Sequence, residues 1–352
     1  MTYRAGVIGC GRMAGTIDDE ITYEHNDFIL PYGHANGYAA IAEVDLVAAA
    51  DTAAEKLASW CDRFAVAGRY ANYQDMIAAE QLDILSVTTP AHARALPLIH
   101  AAQAGVRGIY AEKALCVSTA ELDAIVAACT QHGTQLVYGA MRRYWRGFET
   151  ARAFLDSGQL GAPKAALIGA TSGSALHTHS HIVDAALYLL GDPLPISVSA
   201  SLRGRDGDDL QLQEGPEGIE VATDPSIVHA VVHMEDGRRL VCTDLPSLDI
   251  EIVCEDGTLR NSGDSSYWIP RSSQQRYDWK EISFPTWQAH SGTVAIIRDL
   301  LQAVESGGPT RGGIEIVRRG MEILFGLVAS HHAGGVAVDL PLAQRNVRVM
   351  SH

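Results

Sequence analysis

At 352 residues, with 47% hydrophobic side chains and 33 glycines, the chain is long enough for two globular domains rather than one core. Its net charge of −15, from 42 acidic against 27 basic residues with no Lys/Arg block, argues against a nucleic-acid-binding or anionic-membrane surface. The six cysteines are scattered without a C-x-x-C pair and read as reduced core thiols. No run of about 18 apolar residues and no basic-then-apolar leader is seen, so a cytoplasmic protein is expected.

The first stretch sets up the rest. Ala5-Gly6-Val7-Ile8 is an apolar strand that breaks at Gly9-Cys10-Gly11-Arg12-Met13-Ala14, which puts Gly9, Gly11 and Ala14 at the small positions of G-x-G-x-x-G/A. The expected geometry is strand, tight turn, helix start, with the backbone from Gly9 through Gly11, Arg12 and Met13 facing a pyrophosphate. A second apolar run, Val44–Ala50, ends in Asp51. A carboxylate there accepts hydrogen bonds from ribose hydroxyls and repels a 2′-phosphate, which favours NAD over NADP. Asp51 is equally placed to cap the helix that follows it.

Strands are expected at Arg4–Ile8, Val44–Ala50, Ile84–Thr88, Gly108–Ala111 and Gln135–Tyr138, alternating with helices near 53–64, 73–80, 92–104 and 118–132. Ser118 and Glu121 form a capping box for the last of these. Residues 16–33 break the rhythm with a segment far longer than a usual turn into the first helix. After residue 145 the pattern changes to helices at Phe148–Ser157, 181–190, 290–306 and 314–331, and strands at Lys164–Ala170, Ile196–Leu202, Ile227–Met234, Arg239–Leu245 and Asp249–Cys254. Asp-Gly turns at 236–237 and 256–257 suggest hairpins, and residues 203–218 read as an exposed acidic loop. The expected fold is α/β. A Rossmann doubly wound parallel sheet over 1–140 binds NAD, and an α+β domain with a mostly antiparallel sheet over 141–352 binds substrate and mediates oligomers.

Glu112-Lys113 follows the strand Gly108–Ala111, at the crevice end of an open α/β sheet. At these residues the chain resembles the glucose-fructose oxidoreductase and inositol dehydrogenase family (Gfo/Idh/MocA). The shared features run in order: the glycine-rich turn, Thr89-Pro90, Glu112-Lys113, Arg142-Arg143-Tyr144 leading to Gly158-Gln159-Leu160-Gly161, then His181 and Asp184 with Leu189 and Gly191, and the tail Asp339-Leu340-Pro341-Leu342. The resemblance implies an NAD(P)-dependent oxidoreductase acting on a sugar, sugar-derivative or cyclitol hydroxyl. It implies that Thr89, Pro90, Glu112 and Lys113 border the cofactor. By the same resemblance Lys113 stabilises a developing alkoxide and His181 exchanges its proton. His92 and His34 either line the crevice or pack locally. Asp184, one turn after His181, orients the imidazole or binds a hydroxyl. Arg143, Tyr144, His177 and Asp184 are candidate substrate contacts, with His177 also a candidate proton-transfer group.

Three features depart from the family pattern: Ala114 in place of the proline after the lysine, His177 where an aspartate is common, and the 16–33 insertion, which is long enough to reach over nicotinamide or substrate. His177, His179 and His181 alternate, but His181 already belongs to a helix, so no metal is expected. Trp145, Trp268 and Trp287 read as core. A redox glycosidase, which oxidises a ring hydroxyl transiently, eliminates the aglycone and returns the hydride, is the alternative reading; a non-catalytic sugar or nucleotide sensor is a third. Alternating apolar residues in Ile227–Met234 and Arg239–Leu245 leave one sheet face for a homodimer or homotetramer.

Overall fold

The computed structural model describes residues 2–22, 29–170, 173–204, 207–215, 218–245, 248–262, 267–273 and 278–351. Six strands, β1 (Tyr3–Ile8), β2 (Val44–Ala50), β3 (Gly68–Tyr70), β4 (Ile84–Val87), β5 (Gly108–Ala111) and β6 (Gln135–Tyr138), form a parallel sheet in the order β3-β2-β1-β4-β5-β6. β4 and β5 are buried at every position, which is why both read as short unbroken apolar runs. The strand order reverses between β1 and β4, and a crevice opens there at the carboxyl ends. β3 is an edge strand of three residues, too short to carry a periodic signal.

The helices of this half are α1 (His34–Ala39), α2 (Ala54–Arg63), α3 (Tyr73–Glu80), α4 (Ala95–Gln103) and α5 (Thr119–His132). Ser118 Oγ accepts from Glu121 N at 3.2 Å to cap α5. The expected helix directly after the glycine turn is not there. A 3₁₀ turn at Thr16–Asp19 follows instead, and α1 begins only at His34. The two pieces are nonetheless spliced. His34 N donates to Met13 O (3.1 Å), Ala35 N to Ala14 O (2.9 Å) and Asn36 Nδ2 to Gly15 O (2.8 Å), so α1 resumes where residues 13–15 stop. A Cβ on Gly33 would stand 2.7 Å from Gly15 Cα, so the splice needs glycine there. Asp18 Oδ1 closes the neck by accepting from Gly33 N (2.6 Å) and Tyr32 N (3.1 Å). The tip, 23–28, lies outside the described residues, and with it any reach over nicotinamide or substrate.

The second half contains α6 (Arg146–Asp156), β7 (Pro163–Ala170), α7 (His179–Leu190), β8 (Pro195–Arg203), β9 (Leu212–Gly215), β10 (Gly218–Val221), β11 (Ser226–Met234), β12 (Arg239–Thr243), β13 (Leu248–Cys254), β14 (Gly257–Ser262), β15 (Tyr267–Ser273) and β16 (Trp279–Glu281). It closes with α8 (Gly292–Ser306), α9 (Ile314–His332), β17 (Val338–Asp339) and β18 (Val347–Val349). Nine strands form one sheet in the order β16-β15-β14-β13-β7-β12-β11-β8-β17, antiparallel except where β12 meets β7. Part of the expected 203–218 loop is instead a hairpin. β9 pairs with β10, and β10 pairs in parallel with β18, a contact 128 positions downstream between Ile219 and Val347 that local sequence does not display.

α8 and the carboxyl-terminal strand help to tie the halves together. α8 packs against β5, where Gly108 leaves room: a Cβ there would meet Val304 Cγ2 at 2.8 Å. The carboxyl-terminal strand returns to α5, with Val349 N donating to Val117 O (2.8 Å) and Arg345 Nη2 to Asp123 Oδ1 (2.8 Å). Among the described residues no helix is long and apolar enough to cross a membrane.

Candidate active site

A cleft of about 920 Å³ runs along the carboxyl ends of β1, β2, β4 and β5. Gly9, Gly11, Arg12, Met13, Asp51, Thr89, Pro90, Glu112, Lys113 and His177 all line it. Gly9 has φ +90, and a Cβ there would press within 3.0 Å of Thr89 N. Thr88 Oγ1 donates to Gly9 O at 2.5 Å, which clamps the two crevice loops together. Gly11 faces open space where a side chain would stand, the vacancy a pyrophosphate needs in order to meet backbone. Asp51 receives Cys10 N on Oδ2 and Ala53 N on Oδ1, both at 2.8 Å, so it joins the glycine turn to the approach of α2 while bordering the cleft. Cleft size and donor set suit a dinucleotide, and Gly11, Arg12 and Asp51 are the residues that would hold it. His92 does not line the cleft: it is exposed on the 3₁₀ turn Ala91–Ala93, and Ala93 and Arg94 take the lining positions.

Lys113 sits one residue past Glu112, beyond the end of β5, and its peptide bond to Ala114 is cis. Lys113 Nζ lies 3.1 Å from His177 Nε2 and 3.3 Å from its Nδ1. Burial pushes the Lys113 ammonium below its usual range; Glu112 and Asp224 oppose that shift, and Arg94 adds to it. His181, near the start of α7, is held neutral, well below the usual imidazole range. Burial is the largest cause, followed by the charges of Arg142, Lys113 and His177. Among the described residues its Nδ1 has no hydrogen-bond partner. That nitrogen is buried, and His181 is not among the residues that line the cleft; a neutral imidazole charge-coupled to an ammonium is nonetheless the type of group that takes a proton from a hydroxyl.

Asp184 and Arg143 are placed differently from the expectation. Arg143 is 1% exposed, and its guanidinium reaches Asp184 Oδ1 at 2.9 Å and Asp192 Oδ2 at 2.8 Å. Burial would weaken that cation, and the two carboxylates more than reverse the effect. Asp184 therefore meets Arg143 rather than the His181 ring, and neither side chain lines the cleft. Tyr144 is also buried: its hydroxyl donates to Asp299 Oδ2 (2.8 Å) and accepts from Gly312 N (2.9 Å). These three residues pin the segment after β6 to α7 and α8, and none of them lines the cleft. Trp145 and Trp268 are buried, and Trp287 packs edge-on against Phe284 with centroids 5.8 Å apart. His179 turns to Ser174 O at 3.2 Å while His177 meets Lys113, so the alternating imidazoles do not converge. Among the described residues no group of three His, Cys, Asp or Glu side chains is arranged to hold a metal ion.

Two supporting residues gave no local signal. Buried Arg94 donates to Thr89 O and Ala114 O, joining the turn after β4 to the turn that carries Lys113. Buried Asp224, just before β11, accepts from Leu176 N (2.9 Å), His177 N (2.8 Å) and Ser351 Oγ (2.9 Å), and so fixes the loop that presents His177. Such residues show only as isolated charges in polar stretches until the fold brings their acceptors or donors to them.

Comparison with known proteins places this arrangement. The profile of the GFO_IDH_MocA group, described as an oxidoreductase family with an NAD-binding Rossmann fold, matches residues 3–140. Over these residues the chain is similar to the Gfo/Idh/MocA oxidoreductase family. It is 27% identical over 165 residues to the inositol 2-dehydrogenase of Salmonella typhimurium, a match that covers 46% of this chain and 44% of that one. The chain thus spans less than half the length of that relative. With the D-apiose dehydrogenase of Paraburkholderia graminis it shares 26% identity over 305 residues, 78% of each chain. An aldose-aldose oxidoreductase from Caulobacter crescentus, solved with glycerol, shares the fold at TM-score 0.75 and 18% identity over 97% of this chain and all of the other. The parallel sheet and its glycine turn lie within the residues that match, and the fold of the whole chain, mixed sheet included, is like that of the Caulobacter crescentus structure.

Proposed function

We propose that this protein is an NAD-dependent dehydrogenase that transfers a hydride between a hydroxyl carbon of a sugar, sugar derivative or cyclitol and the nicotinamide. The observation that carries the reading is the presence of Lys113, in contact with His177 and charge-coupled to His181, in the same cleft as Gly9, Gly11 and Asp51. The named dehydrogenases of inositol and apiose support the substrate class. NAD, when bound, supplies the hydride acceptor. Lys113 donates a hydrogen bond to the reacting oxygen and steadies negative charge on it. His181, neutral in the folded chain, accepts the hydroxyl proton. His177 faces the same ammonium and sets the approach of a neighbouring hydroxyl. Arg94 holds the turn that carries Lys113, and Asp224 holds the loop that presents His177.

Denaturing the purified protein and assaying the supernatant for NAD(H), then screening polyols and aryl glycosides with and without added NAD, tests the reading. NADH formed only when NAD and a polyol are both present supports it. Glycoside cleavage on retained cofactor without net NADH gives the redox glycosidase instead. The two-domain division at residue 140 belongs to the same proposal, as does a reducing cytoplasmic setting, in which the six buried free cysteines would stay reduced. We also propose a homodimer or homotetramer. Val231, Val241 and Leu167 lie side by side across β11, β12 and β7 on the outer sheet face, and Leu167 is 39% exposed. Light scattering at micromolar concentration should give a multiple of 37.7 kDa; a monomer would refute it.

A further inference from the structure

Behind Lys113 lies a line of buried polar groups that the proposed chemistry does not touch. His34, the first residue of α1, is fully buried, and its ring stacks on Tyr110 with centroids 3.8 Å apart. Its Nε2 is 3.2 Å from Glu112 Oε1 and its Nδ1 is 2.8 Å from Ser86 Oγ, which is in turn 2.6 Å from the Tyr38 hydroxyl. The order of donors follows from the end group. An ionised Glu112 only accepts, so Nε2 carries a proton; on a neutral ring Nδ1 then accepts from Ser86, and Ser86 accepts from Tyr38. Burial opposes ionisation of Glu112, but His34, Arg94 and Lys113 together hold its carboxyl below the usual range. The second oxygen, Oε2, accepts from Lys113 N at 3.1 Å. Glu112 is therefore pinned by His34 on one side and grips the lysine backbone on the other.

We propose that His34 is a positioning residue for Lys113: through Glu112 it fixes the lysine backbone and keeps a carboxylate charge beside the ammonium. The backbone of His34 also bonds to Met13 O at 3.1 Å, so the glycine turn and the lysine corner are joined at one residue. The splice that loops out residues 16–33 thus restores His34 to the place the lysine needs. For its effect on turnover this inference rests on the proposed role of Lys113; its effect on the lysine's surroundings does not.

Four lysines, Lys56, Lys113, Lys164 and Lys280, make the test direct. The protein is reductively methylated with ¹³C-formaldehyde, the Lys113 methyl signal is assigned by its loss in Lys113→Arg, and all signals are titrated by NMR. The charged groups around Lys113 are Glu112, Asp224, Arg94, Arg12, His177 and His181, and only Glu112 bonds to His34. In His34→Ala, Glu112 loses a donor and holds its charge less well. The Lys113 midpoint should fall by about one pH unit while the other three lysines stay put. His34→Gln, which keeps a donor toward Oε1, should restore most of the shift. If His34→Ala does not fold, Ser86→Ala removes the donor to Nδ1 and should move the same signal in the same direction, by less. An unmoved Lys113 signal in a folded variant, or an equal shift of all four lysines, would overturn the proposal. A selective shift in a protein that never forms NADH would leave the positioning intact and sink the dehydrogenase reading instead.

Discussion

Lys113 Nζ and His177 Nε2 stand 3.1 Å apart at the end of the nucleotide cleft, joining a residue beyond the end of β5 to a loop that precedes α7. Their contact brings a cation from the first sheet against the second half of the chain, where a substrate hydroxyl would lie. Lys113→Met should lower kcat by about 10²- to 10⁴-fold, the usual loss for a positioned proton-transfer or charge-stabilising group. NAD affinity, which we assign to Gly11 and Asp51, should change by no more than about threefold. Steady-state kinetics and calorimetric titration with NAD separate the two; an equal loss of both would show that Lys113 serves binding rather than chemistry.

The protonation of His181 gives a pH signature. Its pKa is depressed by burial and by neighbouring positive charge, so it stays neutral through the ordinary imidazole range near about 6.5. Oxidation should accordingly stay level as pH falls through about 6.5 and decline only below it, and His181→Asn should lose that limb. Stability follows the same sign. Below about 6.5 the unfolded chain binds a proton at this residue and the folded chain does not, so stability falls as pH drops there and is unaffected above. Urea midpoints at pH 7.5 and 5.5, in wild type and His181→Asn, check this; a substitution without effect on the difference would contradict it.

Arg143 and Asp184 should behave as structural residues. Removing Asp184 leaves the buried Arg143 cation with Asp192 alone, a loss of about 3 kcal/mol, the low end for breaking a buried pair. Asp184→Ala should therefore lower the urea midpoint sharply. Arg143→Met together with Asp184→Leu should recover part of that loss, because the buried cation leaves with its buried partner and only the partly exposed Asp192 is left without it. A selective fall in kcat at unchanged stability would return Asp184 to the catalytic set.

Asp51 links cofactor choice to loop geometry. Asp51→Ser should weaken NAD binding and narrow the preference over NADP by about tenfold or more, since repulsion of a 2′-phosphate is removed and Lys56 lines the same end of the cleft. Paired titrations with NAD and NADP measure the ratio. A ratio that does not move would leave Asp51 only its hydrogen bonds to Cys10 and Ala53.

The sheet around the cleft was legible because its strands are buried on both faces, as with Ile84–Val87 and Gly108–Ala111, and so appear as short apolar runs between helical patterns. The glycine turn, Asp51 and Lys113 were legible because their chemistry sits at fixed offsets from those runs. The path of the first helix was not. It depends on Gly33 lying against Gly15, a contact between two glycines 18 positions apart that no window of local propensity reports. Arg143 and Asp184 were visible as charged residues near the right motifs, but their burial against each other is set by how α7 packs on the segment after β6. The same holds for His34, Arg94 and Asp224, whose roles come from partners that only the folded chain supplies.

The most direct test of the account is NADH formation by the purified protein given NAD and a panel of polyols, aldoses and cyclitols, run side by side with Lys113→Met. The account predicts NADH with at least one polyol for the wild-type protein and a loss of about 10²-fold or more in the variant, with NAD still bound by both. A protein that binds NAD yet yields no NADH with any polyol, or a Lys113→Met variant that turns over as fast as wild type, would contradict it.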